Sequence, residues 1–197
     1  MSTKEDILEQ LVEEYLLHEG YFVQHNVKFR PSEHRTDFVK KSDSNHSDID
    51  VIGVHPILTG SRKVVAVSCK SWQGGFNPRA EIDAIEQNKV VSGRVRWKPF
   101  RELASPKWAE AFMKKIEEVT GTQEFTYITA VTKTIGDKSL WEQNTKFRQS
   151  IGGNPIEVLD MRTLLATVLP KLTTTVANTS IGRMLQLIKA SGVELKT

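Results

Sequence analysis

Apolar residues recur at helical spacing near the start of the chain, where Ile7, Leu8, Leu11, Val12, Tyr15 and Leu16 form one stripe closed by Gly20. Ser2 and Thr3 are N-cap residues for this helix, and Glu5 follows Ser2 at capping-box spacing. The pattern then alternates over 21–29, which predicts a strand ended by Pro31. The polar stretch 31–47 has no apolar period and reads as a long mobile loop suited to binding. Two β-like runs follow, 49–54 and 63–69, joined by HPILTGSR, whose Pro56 and Gly60 suit a hairpin. After the turn SWQGGFNP, Asn77 and Pro78 suit an N-cap and a first helical residue, so a helix is expected over 79–91.

Further along, the spacing predicts a helix over 106–119 and the clearest strand of the second half over 125–132. Then come a helix over 140–150, a short strand over 156–159 and a helix over 162–169 stopped by Pro170. Ser180 caps a last helix carrying Ile181, Met184, Leu185 and Ile188, which Gly192 terminates. This order gives an α/β fold, a mixed sheet flanked by helices. The 197 residues read as one domain, with a core over about 3–133 and a C-terminal strand and helices over about 138–192.

Composition narrows the choice a little. Hydrophobic residues make up 39% and charged residues 26%, and the formal net charge is +3, which permits a polyanionic partner without demanding one. Cys69 is the single cysteine, so an intrachain disulfide and a zinc cluster of cysteine pairs are excluded. MSTKEDILEQ does not read as a secretion signal, no apolar run can span a bilayer, and the reducing cytoplasm is the expected compartment. There is no Walker-type phosphate loop, which argues against NTP hydrolysis, and the five histidines show no metal-ligand spacing.

The segment that carries chemistry is SDIDVIGV followed by VVAVSCKSW. Asp50 stands near the beginning of one strand and Lys70 ends the next, twenty positions later. If the strands pair antiparallel, an acid and an amine meet at one edge of the sheet. A carboxylate there can hold Mg²⁺, and the lysine can orient a water and offset phosphate charge, as metal-assisted phosphodiester hydrolysis requires. Ser68 and Lys70 share a face, while Cys69 alternates into the core.

These residues resemble the PD-(D/E)XK nuclease superfamily, in particular its Mrr-like and Holliday-junction-resolvase-like branches. LEQLVEEYLLHEGYFV resembles the opening helix, with Glu9, eleven residues before Gly20, as its acid. DIDVIGV matches the strand aspartate at Asp50, and Ser68-Cys69-Lys70 matches the (D/E)XK tripeptide. The resemblance covers roughly the first half of the chain and implies a restriction-endonuclease-like αβββαβ core with extra C-terminal helices. It also implies a Mg²⁺- or Mn²⁺-dependent endonuclease acting on DNA, with RNA as the alternative, and catalytic positions at Asp50, Lys70, Glu9 and Ser68.

Ser68 departs from the pattern, because a hydroxyl is a poor Mg²⁺ ligand where the family places Glu, Asp or Gln. One outcome is that Glu81 or Asp83, early in the next helix, joins Asp50 at the metal, as in some restriction enzymes of the superfamily. The other is a module that binds nucleic acid without cleaving it. On a helical wheel Glu9 and Glu14 both border the apolar stripe, so Glu14 is the fallback for the first-helix acid. The basic stretch with Arg94, Arg96, Trp97, Lys98 and Arg101 can contact phosphates and stack on bases. The stripe SIGRMLQLIKASG either packs on the sheet or forms a homodimer interface.

Overall fold

The computed structural model describes residues 6–91 and 93–193. The expected capping by Ser2, Thr3 and Glu5 lies outside the described residues. Asp6 instead caps helix α1 (Ile7–His18), its carboxylate accepting the Leu8 N–H at 2.8 Å. Strand β1 (Phe22–Phe29), the short helix α2 (Lys40–Asp43), strand β2 (Ser47–Val54) and strand β3 (Val64–Lys70) follow. Then come α3 (Pro78–Glu86), the two-residue strands β4 (Val90–Val91) and β5 (Arg94–Val95), α4 (Arg101–Ala104) and α5 (Pro106–Thr120). The chain continues with β6 (Thr126–Val131), α6 (Ser139–Glu142), α7 (Thr145–Ser150), β7 (Ile156–Asp160), α8 (Met161–Lys171) and α9 (Ser180–Ala190).

Five strands form one mixed sheet in the order β1-β2-β3-β6-β7. The pairs β1–β2 and β2–β3 are antiparallel, and β3–β6 and β6–β7 are parallel. One face carries Ile52, Ala66, Tyr127 and Val131 against α4, α5 and an aromatic group that includes Phe76, Phe100, Trp108 and Trp141. The other face carries Val51, Val65, Val67, Ile128 and Ala130 against α1, α8 and α9. Helices on both faces explain why every residue of β6, its two threonines included, is buried without alternation.

The structure departs from the sequence pattern where polar contacts outweigh periodicity. The stretch 31–47 carries the short helix α2 and polar contacts to the rest of the fold. Its α2 turn buries Asp43, which accepts the Val39 N–H at 2.8 Å and pairs with Lys107 Nζ at 2.6 Å. The helix expected over 79–91 stops at Glu86, because 90–95 folds back as the β4–β5 hairpin. The region expected as one helix over 140–150 is two, since Asn144 leaves helical geometry and caps α7 by accepting the Phe147 N–H. Thr179 rather than Ser180 caps α9. Pro170 sits inside the last turn of α8, one residue before its end, rather than stopping it. The α9 stripe packs through Ile181 and Leu185 into the α1–α8 layer. Among the described residues no helix is long and apolar enough to cross a membrane.

Candidate functional site

The β2–β3 ladder runs from Val54–Val64 to Val51–Val67. Beyond it the Cys69 N–H donates to Asp50 Oδ2 at 2.6 Å, so the carboxylate takes the place of a ladder carbonyl. Continuing the register sets Asp50 opposite Ser68, and Lys70 lies two residues further on the same face. Lys70 Nζ is 4.0 Å from Asp50 Oδ2 and donates to Ser68 Oγ at 2.6 Å. Acid and amine therefore meet at one sheet edge. On the other side of Asp50 the β1–β2 register brings Asn26, whose φ of 53° is left-handed. Asparagine tolerates that conformation better than most residues do.

Glu9, in the first turn of α1, reaches the same edge. Burial, then the charges of Asp50 and Asp6, push its carboxyl from the ordinary 4.5 to about 7, although Lys70 pulls the other way. Burial also raises the Asp50 carboxyl, countered by Lys70 and the Cys69 N–H. Asp6 ties the start of α1 to the residue after Lys70, since Ser71 Oγ donates to its carboxylate at 2.5 and 2.7 Å. A cavity of about 570 Å³, lined by Asp6, Ser71, Gln73, Thr132 and Met161 among others, opens at the C-terminal ends of β3, β6 and β7. That end of the strands is where open α/β sheets receive ligands.

The Glu9 carboxyl has a definite effect on stability. Its folded value lies above its ordinary one, so its contribution is fully present below about pH 4.5 and is lost as pH rises through about 7. Glu9→Gln should therefore flatten the decline of Tm across that window and raise Tm at pH 8. Parallel melting curves from pH 4 to 9 measure this; equal pH dependence of the two proteins would refute it.

The remaining expected residues are dispersed. Glu14 is buried elsewhere, between His18 and Thr179, so it is not at this edge. Glu81 is buried and its carboxylate is held by the Arg96 guanidinium through two hydrogen bonds. Asp83 is exposed on α3. Among the described residues no three His, Cys, Asp or Glu side chains are grouped to hold a metal ion. The basic stretch is partly committed internally. Arg96 also stacks on Trp72 at 4.2 Å, and Arg101 stacks on Trp108 at 4.4 Å. Trp97 packs against the core, Lys98 is exposed, and the Arg94 side chain lies outside the described residues.

Two residues that sequence reasoning passed over lie beneath the site. Tyr127 of β6 donates its hydroxyl to Glu102 of α4, and both are buried. Burial raises the Glu102 carboxyl, and Lys70 supplies the largest opposing influence. Burial and the Glu102 charge hold the Tyr127 phenol well above its ordinary range. Nothing in the sequence marks Glu102, because α4 is one turn long and lacks a readable period.

Sequence reasoning also missed a groove of about 460 Å³ between the end of β1 and α5, lined by Lys28, Arg30, Arg35, Lys107, Lys114 and Lys115 among others. Arg30, Arg35, Lys107 and Lys115 each pair with a carboxylate, whereas Lys28 and Lys114 have no such partner among the described residues. Comparison of the chain with protein-family models, with curated proteins and with solved structures finds no match.

Proposed function

We propose that this protein is a metal-dependent endonuclease that hydrolyses phosphodiester bonds of DNA, with a fold of the restriction-endonuclease-like type. The observation that carries the reading is the approach of Lys70 Nζ to within 4.0 Å of Asp50 Oδ2 at the rim of an antiparallel pair. Glu9 supports it, because burial raises both carboxyls and the Asp50 charge raises that of Glu9 further, a hard-oxygen pair that a cation would relieve.

Glu9 and Asp50 would hold Mg²⁺ or Mn²⁺, with waters completing the shell. When bound, the ion would lower the pKa of a water and offset phosphate charge. Lys70 would direct its ammonium toward the attacking water or a phosphate oxygen. The Cys69 N–H fixes the Asp50 carboxylate, and Ser68 fixes the amine. Glu81 would have to leave Arg96 to reach an ion, so two carboxylates rather than three are assigned. Lys28 and Lys114 are the cations of the α5 groove best placed to take backbone phosphate.

The test is incubation of the purified protein with supercoiled DNA, linear duplex and single-stranded RNA in Mg²⁺, in Mn²⁺ and in EDTA. Nicking or linearisation in either ion, abolished by EDTA, is expected. Salt-sensitive binding without cleavage in any divalent ion would favour the second reading, a module that binds nucleic acid without cutting it. Two observations favour that reading. No three-ligand metal group is present among the described residues, and Ser68 Oγ is engaged by Lys70. Absence of binding to either nucleic acid at low salt would end both readings.

A further inference from the structure

We propose that Arg101 binds a backbone phosphate of DNA and joins the Lys70 edge to the α5 groove as one track for a nucleic-acid strand. The inference deepens the nucleic-acid reading and rests on it for the ligand, though not for the geometry.

Arg101 is held in a definite pose with its donors unspent. Its guanidinium lies over the Trp108 ring, 4.4 Å from the centroid, and its Nε donates to the Lys98 carbonyl at 3.1 Å. Trp108 is 1% exposed, so the guanidinium plane rests on a wall fixed by the core. The terminal nitrogens make no hydrogen bond among the described residues, and no carboxylate there lies within ion-pair distance. Glu102 and Asp43 act on the Arg101 charge from further off, and both are engaged elsewhere, Glu102 by the Tyr127 hydroxyl and Asp43 by Lys107. Arg30, Arg35 and Arg96 are also half-buried, yet each pairs with a carboxylate. Covering the indole needs only an apolar stem. A planar fork with nothing to hold is suited to an anion that arrives from outside.

The place of Arg101 in the fold indicates which anion. Phe100, the residue before it, lies 5.5 Å from Lys70 Nζ at the sheet edge. On the other side, Lys107 precedes Trp108 and lines the α5 groove, and Phe29 of the same groove meets Trp108 edge-on at 5.8 Å. Arg101 therefore stands between Lys70 and the groove to which Lys28 and Lys114 belong. Separate cations leading from the edge past Arg101 into the groove suit a repeating phosphate backbone better than one small anion. Such contacts set the register of a strand without reading its sequence.

The test is binding of a fluorescent DNA duplex in EDTA, followed by anisotropy over a series of salt concentrations. The wild type is compared with Arg101→Met and with Arg183→Met, the latter on α9 at the opposite face of the sheet. Methionine keeps an apolar stem over Trp108. In Arg101→Met the slope of log K against log salt should become shallower by about 0.9, the loss of one phosphate contact, on duplexes of unrelated sequence alike. Arg183→Met should keep the wild-type slope. A merely structural Arg101 would lower the affinity or the folded fraction and leave the slope unchanged, and that result overturns the proposal. If Arg101→Met fails to fold, the wild type decides. DNA should protect Arg101 from phenylglyoxal and leave Arg183 reactive; equal modification of Arg101 with and without DNA refutes the contact. A shallower slope, in a protein that cleaves in no divalent ion, supports the Arg101 contact and sinks the endonuclease reading alone. Absence of wild-type binding at low salt removes the contact together with both nucleic-acid readings.

Discussion

Lys70→Met should give a folded protein whose DNA cleavage has fallen by about 100- to 10,000-fold, the contribution of one positioned proton-handling group. Methionine keeps the length and apolar character of the stem that runs beside Phe100, so lost packing does not cloud the result. The variant removes the ammonium that faces Asp50 and donates to Ser68. It also removes the main electrostatic support of buried Glu102, whose carboxyl should then rise further. Asp50→Asn is the companion variant. Its amide oxygen can still accept the Cys69 N–H, but the charge that would hold an ion is gone. Initial rates on supercoiled DNA, with circular dichroism to establish folding, measure both. Wild-type rates in either variant would show that the active centre lies elsewhere.

Gly182→Ala should destabilise the protein by about 1–3 kcal/mol, the usual range for an overpacked site. The sign is opposite to the ordinary expectation, because alanine in a helix is normally better than glycine. A Cβ at position 182 would lie 2.5 Å from Glu14 Oε2, 2.6 Å from its carboxyl carbon and 2.8 Å from the Ala177 Cβ. Nor can the helix shift freely. The Gly182 N–H donates to Thr179 Oγ1 at 2.9 Å, and that hydroxyl donates to Glu14 Oε2 at 2.6 Å. Urea denaturation of Gly182→Ala, Glu14→Ala and the double variant forms the test. The double variant should be more stable than the sum of the single losses, since removing the carboxylate makes room for the methyl. Strict additivity would show that the crowding is relieved by some other movement.

The strands and the long helices were legible because burial imposes a period on them. β3 and β6 announce themselves as apolar runs, and α1 as a stripe, since each faces a packed layer. The meeting of Asp50 and Lys70 followed from one topological premise, the antiparallel hairpin, and two residue positions. What stayed hidden depends on contacts between parts remote in sequence. The anchoring of 31–47 comes from Lys107, 64 residues beyond Asp43. The fate of Glu81 was set by Arg96 across the β4–β5 turn, and no local pattern distinguishes a carboxylate held by arginine from one that is free. Glu102 has no local mark either, since its partner Tyr127 lies 25 residues on.

Helix α1 has a consequence beyond its own stability. Near one end it presents Glu9 to the sheet edge, and further along Glu14 is clasped by Thr179, the residue that caps α9. The rod that aims the first acid is thus braced by the last helix. Cutting the chain ahead of residue 179 would free that brace and uncover the layer that Leu164, Val168 and Leu185 help to seal. The opening half of the sequence, although it holds Glu9, Asp50 and Lys70, is no miniature of the whole: the tail is part of its aim.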